Sequence, residues 1–294
     1  MPEFKTFHPL VNFCYFAAVI FFTMFFTQPI FLGSSLITSI IFLIKLIDLS
    51  EIKRNLILIM IFFIVIALLN PIFVHKGATP LFFINDNPIT LEASIYGIAF
   101  ASMLVSVIFW FMSFNKIMDT DKTIYLFSKI LPTIGLIISM ALRFVPRFQR
   151  QLRKIIDFNS IGNNPYQAKG IISRIKAILK TFSILVTWAF ENSIDTANIM
   201  RARGYGLKKR TTFHLYKFEL RDVIFLLFII VFFSLNVYLY FAFNLRFYYY
   251  PQLALIKLDL IHIITYLTYV LLLLSPIIVE IEEEIRWKLS ISKI

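Results

Sequence analysis

The sequence predicts an all-α protein: a polytopic helical membrane protein with a cytoplasmic region of amphipathic helices. Three observations carry this. The chain is 59% hydrophobic and 34 of its 294 residues are phenylalanine, a composition that a soluble domain of this size cannot cover with polar surface. Apolar runs of membrane-spanning length recur, at about 20 residues each. Between them lies one long stretch, residues 143–221, with no such run. It holds 16 Lys and Arg against Asp157, Glu191, Asp195 and Glu219, a net charge of +12 that equals the charge of the whole chain.

Candidate spans are 11–26, 30–47, 56–74, 98–114, 124–142, 222–244 and 259–279. The first two are short and close, which predicts a tight hairpin with one incomplete member. The run from Val11 reads as a retained helix, since no small-residue cleavage site follows it. The resulting organisation is 1–142 as amino-terminal membrane helices, 143–221 as a surface region, and 222–294 as closing membrane helices with a short tail. Lys and Arg concentrate in cytoplasmic segments, so 143–221 is expected inside. Counting back would place the 75–97 connection inside too, against its charge of one Lys and two acids, so the sequence leaves the amino-terminal topology open. Phe247-Tyr248-Tyr249-Tyr250 fits an aromatic belt at the outer interface.

Within 143–221, Arg143, Arg147, Arg150 and Lys154 recur at steps of three and four, and Phe144, Phe148, Leu152 and Ile155 do so on another face. That is an amphipathic helix. Pro146 is expected near its start, and Gly162-Asn163-Asn164-Pro165 ends it. A second helical pattern resumes near Ala168, with or without a break at Glu191-Asn192-Ser193. It stops at Gly204, a residue suited to the left-handed position after a helix. By spacing alone, Arg201 and Arg203 complement the dipole of that helix end, and the basic face rests on anionic headgroups of the lipid bilayer. A nucleic-acid partner is discounted, because the stretch is tethered to membrane spans at both ends and carries no recognisable nucleic-acid module.

No Walker A loop, His-Glu-x-x-His or Gly-x-Ser-x-Gly occurs, so no catalytic role, cofactor or metal is expected. The lone Cys14 reads as a small packed hydrophobe. His262 and Asp259 sit near a span end, where packing competes with a metal or proton site. No path of charged residues crosses the spans, which favours a scaffold over a self-sufficient carrier.

Taken together, Leu142-Arg143-Phe144-Val145-Pro146, the basic amphipathic helix, Glu191, and Arg201-Ala202-Arg203-Gly204-Tyr205-Gly206 followed by Arg221-Asp222 and a membrane span resemble a known pattern. The chain resembles the transmembrane T component of energy-coupling factor transporters, the group that includes vitamin and cobalt permeases. The similarity is clearest over about 95–245. It implies a non-catalytic scaffold whose cytoplasmic coupling region docks on two ATP-binding-cassette ATPase subunits, or a fused one. The same region cradles a small substrate-binding membrane S subunit that takes a vitamin or metal ion. It further implies that Arg203 of Ala202-Arg203-Gly204, beside Arg201, seats in an acidic ATPase groove. Arg143, Pro146, Arg147, Arg150, Arg153 and Glu191 then belong to the supporting helices. Glu191 is either a solvated residue or a brace to Arg150 or Arg153. The family pattern has two such motifs. At the first helix end this chain has Ser160-Ile161-Gly162, which keeps the glycine and loses the arginine. That asymmetry suggests two non-identical ATPases, or a fused one, rather than a homodimer. The competing classes are a stand-alone secondary carrier or channel, and a lipid-modifying enzyme for which no nucleophile or metal set is evident.

Overall fold

Proline opens three of the helices, because its missing N–H and fixed φ suit a first helical turn. In the computed structural model, residues 3–47, 49–84, 87–160, 170–205, 216–254 and 259–291 are described. After a one-turn 3-10 helix, Glu3–Thr6, come α1 (Pro9–Phe25), α2 (Pro29–Leu46), α3 (Leu49–Phe73), a small antiparallel hairpin of β1 (Pro80–Ile84) and β2 (Asn87–Thr90), and α4 (Leu91–Ile117). Next are α5 (Thr120–Ile130), α6 (Pro132–Ser160) and α7 (Ile171–Ala202), then α8 (Leu220–Ala242) and α9 (Leu260–Ile291). Two compact units result: Met1–Thr123 with Tyr216–Ile294, and Ile124–Leu215.

The first unit is the membrane body. Among the described residues, five of its helices are long and apolar enough to cross a bilayer: Pro29–Leu46, Leu56–Phe73, Leu91–Ile117, Leu220–Ala242 and Leu260–Ser290. The 17-residue α1 is apolar but shorter. Instead of forming an isolated hairpin, α1 packs on α4 and α8, and α2 on α4 and α9. The centre is aromatic. Trp110 is fully buried, its indole N–H donates to Ser35 Oγ at 3.0 Å, and Ser35 pairs with Thr23 at 2.8 Å. A dry core demands that each polar atom be matched in this way. Phe26 stacks on Tyr240 at 4.1 Å, tying α1's end to α8.

One interior proline is matched too. Pro276 denies Leu272's carbonyl its helical partner, and Ser275 Oγ donates to that oxygen at 2.8 Å. Tyr15 OH donates to the neighbouring Leu273 carbonyl at 2.9 Å. Pro71 frees Ala67's carbonyl on α3, and Gly97 of α4 closes on it; a Cβ at Gly97 would stand 2.5 Å from that oxygen. Tyr15→Phe removes the hydroxyl that reaches Leu273 while keeping the ring. We expect a loss of about 1–3 kcal/mol, read as a lower unfolding midpoint in detergent.

The expected span at 124–142 is corrected. α5 stops at Ile130, Leu131 is not helical, and α6 starts at Pro132 and continues through Arg143 to Ser160. Pro132 cannot donate to the preceding turn, so it ends one helix and begins the next. Pro146, expected near a helix start, therefore lies in the interior of α6.

Removing that span reverses the count upstream. The 3-10 turn and the ends of α2, α4 and α9 gather with the start of α8 at one face of the membrane body. Phe4–Phe42 (6.2 Å), Phe4–Phe225 (5.7 Å) and Lys5–Asp119 (2.8 Å) contacts join them there. The hairpin and the 243–254 connection lie at the other face, where Tyr249 OH donates to Thr27's carbonyl at 2.7 Å and Asn70 Nδ2 to Ala93's at 2.7 Å. The acidic 75–97 connection is thus opposite the face where the chain leaves for, and returns from, the basic unit. The aromatic cluster there is only partly a lipid belt: Tyr248 is exposed, but Tyr249 is buried against Tyr96.

Candidate coupling site

The second unit is built on α6 and α7, which pack against one another. At 100° per residue, Arg143, Arg147, Arg150 and Lys154 fall within an arc of about 60° on α6, and all four are exposed, as is Arg153. Phe144, Phe148, Leu152 and Ile155 form the inward stripe, with Ile155 buried. α7 answers with Thr181, which is buried, and with the partly covered Leu185, Trp188, Asn192 and Thr196.

The clearest joint between the helices is Trp188. Its ring meets Phe148 edge-on at 5.8 Å, and the Arg147 guanidinium stands 5.7 Å from its centroid. Phe148 in turn stacks on Phe144 at 5.9 Å. Arg147 thereby keeps its charge at the surface while its head is held over a ring, an arrangement that favours Arg over Lys. Arg150 turns back to its own helix and donates from Nε to Pro146's carbonyl at 3.3 Å. Among the described residues no ion pair joins Glu191 to Arg150 or Arg153, and Glu191 is exposed. Of the two readings of Glu191, the geometry has the solvated one, and the brace is aromatic. Trp188 was singled out by no sequence pattern, although an aromatic on α7's inward stripe opposite Phe148 was the available signal.

α7 runs unbroken past Glu191-Asn192-Ser193 and ends on a complete cap. Gly204 adopts φ 79°, its N–H bonds Arg201's carbonyl at 3.0 Å, and Tyr205's N–H bonds Met200's at 2.9 Å. This pair of bonds is the Schellman closure, with glycine at the left-handed position. It satisfies two carbonyls that the helix end leaves open and fixes the direction in which the chain departs. Arg201, Ala202 and Arg203 are all exposed on this last turn. Arg201 and Arg203 sit at the negative end of a 32-residue dipole, which favours their charge. At the other helix end, α6 closes with Ser160; Ile161 and Gly162 lie outside the described residues.

Both helices also leave apolar side chains uncovered. On the first half of α7, Ile171, Ile172, Ile175, Ile178, Leu179 and Phe182 are each at least half exposed. On α6, Ile134, Ile137, Leu142 and Val145 are exposed to 42–59%. α6 thus carries a basic arc and an apolar side that is covered only in part. Elsewhere, His262 Nδ1 stands 3.8 Å from Asp259 Oδ2, and no three His, Cys, Asp or Glu side chains gather as a metal site among the described residues.

No family model matches the chain. It is similar to the energy-coupling factor transporter transmembrane protein EcfT of Staphylococcus aureus, 29% identical over 182 residues, 58% of this chain and 67% of that protein. The protein of the same description from Macrococcus caseolyticus is 29% identical over 190 residues, 61% of this chain and 72% of its own length. The chain is a relative of the energy-coupling factor T components. The EcfT of Lactobacillus helveticus is 32% identical over 111 residues, 37% of this chain, and the match spans only 40% of that relative. The resemblance read from the Arg-Phe-Val-Pro helix and the Ala202-Arg203-Gly204 end is therefore supported, and the protein is an integral membrane component of transport type.

Proposed function

We propose that the chain is the non-catalytic transmembrane scaffold of an energy-coupling factor importer, transmitting ATP hydrolysis by two ABC ATPase subunits to a small substrate-binding membrane subunit. The observation that carries this reading is the capped end of α7. Two exposed arginines stand on the last turn of a long helix whose exit is fixed by Gly204, in a relative of T components. A guanidinium offers five donors in a rigid fork and pairs with two carboxylate oxygens at once. Arg203 is the residue that seats in an acidic ATPase groove, with Arg201 beside it. Arg143, Arg147, Arg150 and Arg153 give α6 its positive field, and Trp188 holds the two helices as one lever. The end at Ser160-Ile161-Gly162 meets the second ATPase without an arginine, which fits two non-identical ATPases.

The exposed apolar faces of α6 and α7 are the seat of the small membrane subunit, whose own surface is lipid-like. The face bearing Lys5, Lys45, Lys116 and Arg221 is cytoplasmic by the excess of basic residues. A vitamin or a metal ion is the substrate class, chosen by the small subunit and not by this chain.

Purification of the tagged chain in mild detergent tests the scheme. Co-purification of ATP-binding-cassette subunits and a small membrane protein is expected, with uptake in liposomes only when ATP is supplied. A chain that purifies alone and moves solute without ATP is a secondary carrier, and the scaffold reading fails.

A further inference from the structure

The membrane body is joined to the basic unit at two crossings, one after α4 and one before α8, and the amino-terminal turn touches both. At the outgoing crossing, Lys5 pairs with Asp119 at 2.8 Å. Lys122, only 4% exposed, donates to Lys5's carbonyl. With its amide oriented to suit both neighbours, Asn12 donates to Phe4's carbonyl at 3.1 Å and accepts from Lys122 Nζ at 3.3 Å. Burial lowers the Lys122 pKa to about 8, with Asp119 pulling it up and Lys5 pushing it down. At the returning crossing, Asp222 is 1% exposed and its carboxylate is shared. Oδ1 accepts His8's backbone N–H at 3.0 Å, and Oδ2 accepts Glu219's at 2.9 Å, capping α8. His8's ring lies against Phe218 at 4.9 Å, and the Arg221 guanidinium stands over Phe7 at 5.1 Å.

Lys5 and His8 are three residues apart, so their Cα atoms are separated by at most about 11 Å. Phe4 and Phe7 bury themselves between the two contacts, against Phe225 of α8 and the α1 core. A backbone turn that grips both crossings is not needed to span the membrane. Nor does it cap only its own helix, although His8 Nδ1 also accepts Leu10's N–H at 3.2 Å. We infer that residues 3–8 are a clasp: they bind the outgoing and returning crossings into one rigid foot, through which movement of the basic unit reaches the membrane body. Asp119, Lys122 and Asp222 are then positioning residues. The consequence for transport rests on the proposed function; the clasp itself does not.

Hydrogen exchange on the full chain in lipid nanodiscs tests it, comparing the unmodified protein with Asp119→Asn and with Asp222→Asn. Each substitution weakens charge-assisted bonds at one crossing only. A clasp predicts that either one speeds exchange at both crossings, 118–123 and 216–222, by about tenfold, while the interiors of α2 and α4 are unchanged. Acceleration confined to the crossing that carries the substitution overturns the inference and leaves two independent local caps. Asp119 is about half exposed, so its replacement leaves the fold intact and decides the matter even where Asp222→Asn does not insert. Exchange requires neither ATPases nor substrate, so a failure of ATPase attachment leaves the clasp test readable.

Discussion

Replacing Arg203 by alanine is expected to detach one ATPase. The side chain is exposed in the isolated chain and makes no packing contribution there, so insertion and thermal stability should be unchanged. If Arg203 seats as proposed, its loss leaves a buried carboxylate without its partner, which costs about 2–5 kcal/mol. That corresponds to a roughly thirty-fold to several-thousand-fold weaker interaction. The measurement is ATPase recovery on the tagged chain at several ATPase concentrations. Arg203→Lys keeps the charge but not the fork and should fall between the two. Arg201→Ala reports how far the neighbouring arginine shares the load. Normal ATPase recovery with Arg203→Ala and with the double replacement of Arg201 and Arg203 would remove the arginines from the interface.

The second large effect is expected at Trp188. Its alanine variant loses an edge-on pair with Phe148 and the ring beneath Arg147. An aromatic pair contributes about 0.5–1.5 kcal/mol and a cation–ring contact about 0.5–1 kcal/mol at an exposed site. The sum is small against the stability of a membrane body but large for one helix pair. We expect α6 and α7 to open about tenfold more often, seen as faster tryptic cleavage after Arg147, Arg150 and Arg153, since cleavage follows the open population. ATPase attachment at Arg203 should persist while uptake per ATP hydrolysed falls. Trp188→Phe should restore most of both. A variant that loses ATPase attachment and uptake together would make Trp188 part of the docking surface rather than of the lever.

How much of this was legible beforehand depended on whether the cause was local. The end of α7 was readable because a glycine after two arginines, at the close of a periodic run, leaves one economical backbone solution. The inward stripe of Phe144, Phe148, Leu152 and Ile155 was readable for the same reason. The break at Leu131 was not. Residues 124–142 are apolar enough to pass as a span, and hydropathy does not register that Pro132 starts a helix here instead of bending one. Counting through that false span set the acidic 75–97 connection against its own charge and left the amino-terminal topology open. The Arg147–Trp188 contact was missed because pairing rules offer Glu191 as the obvious partner for an arginine, while a ring attracts no notice by charge. Asp222 illustrates the same limit over a longer range: its second bond is to His8, 214 residues away.

The break at Leu131 also bears on biogenesis. With α5 and α6 outside the set of membrane-length helices, α4 is the last such helix before the basic unit is synthesised, and it ends at the face from which α8 starts. The ribosome that inserts α4 is then on the side where the nascent Arg143–Arg221 stretch must stay. Its sixteen cations never need to be threaded through the translocation channel, and the next segment to enter it is α8, already uncharged beyond Asp222.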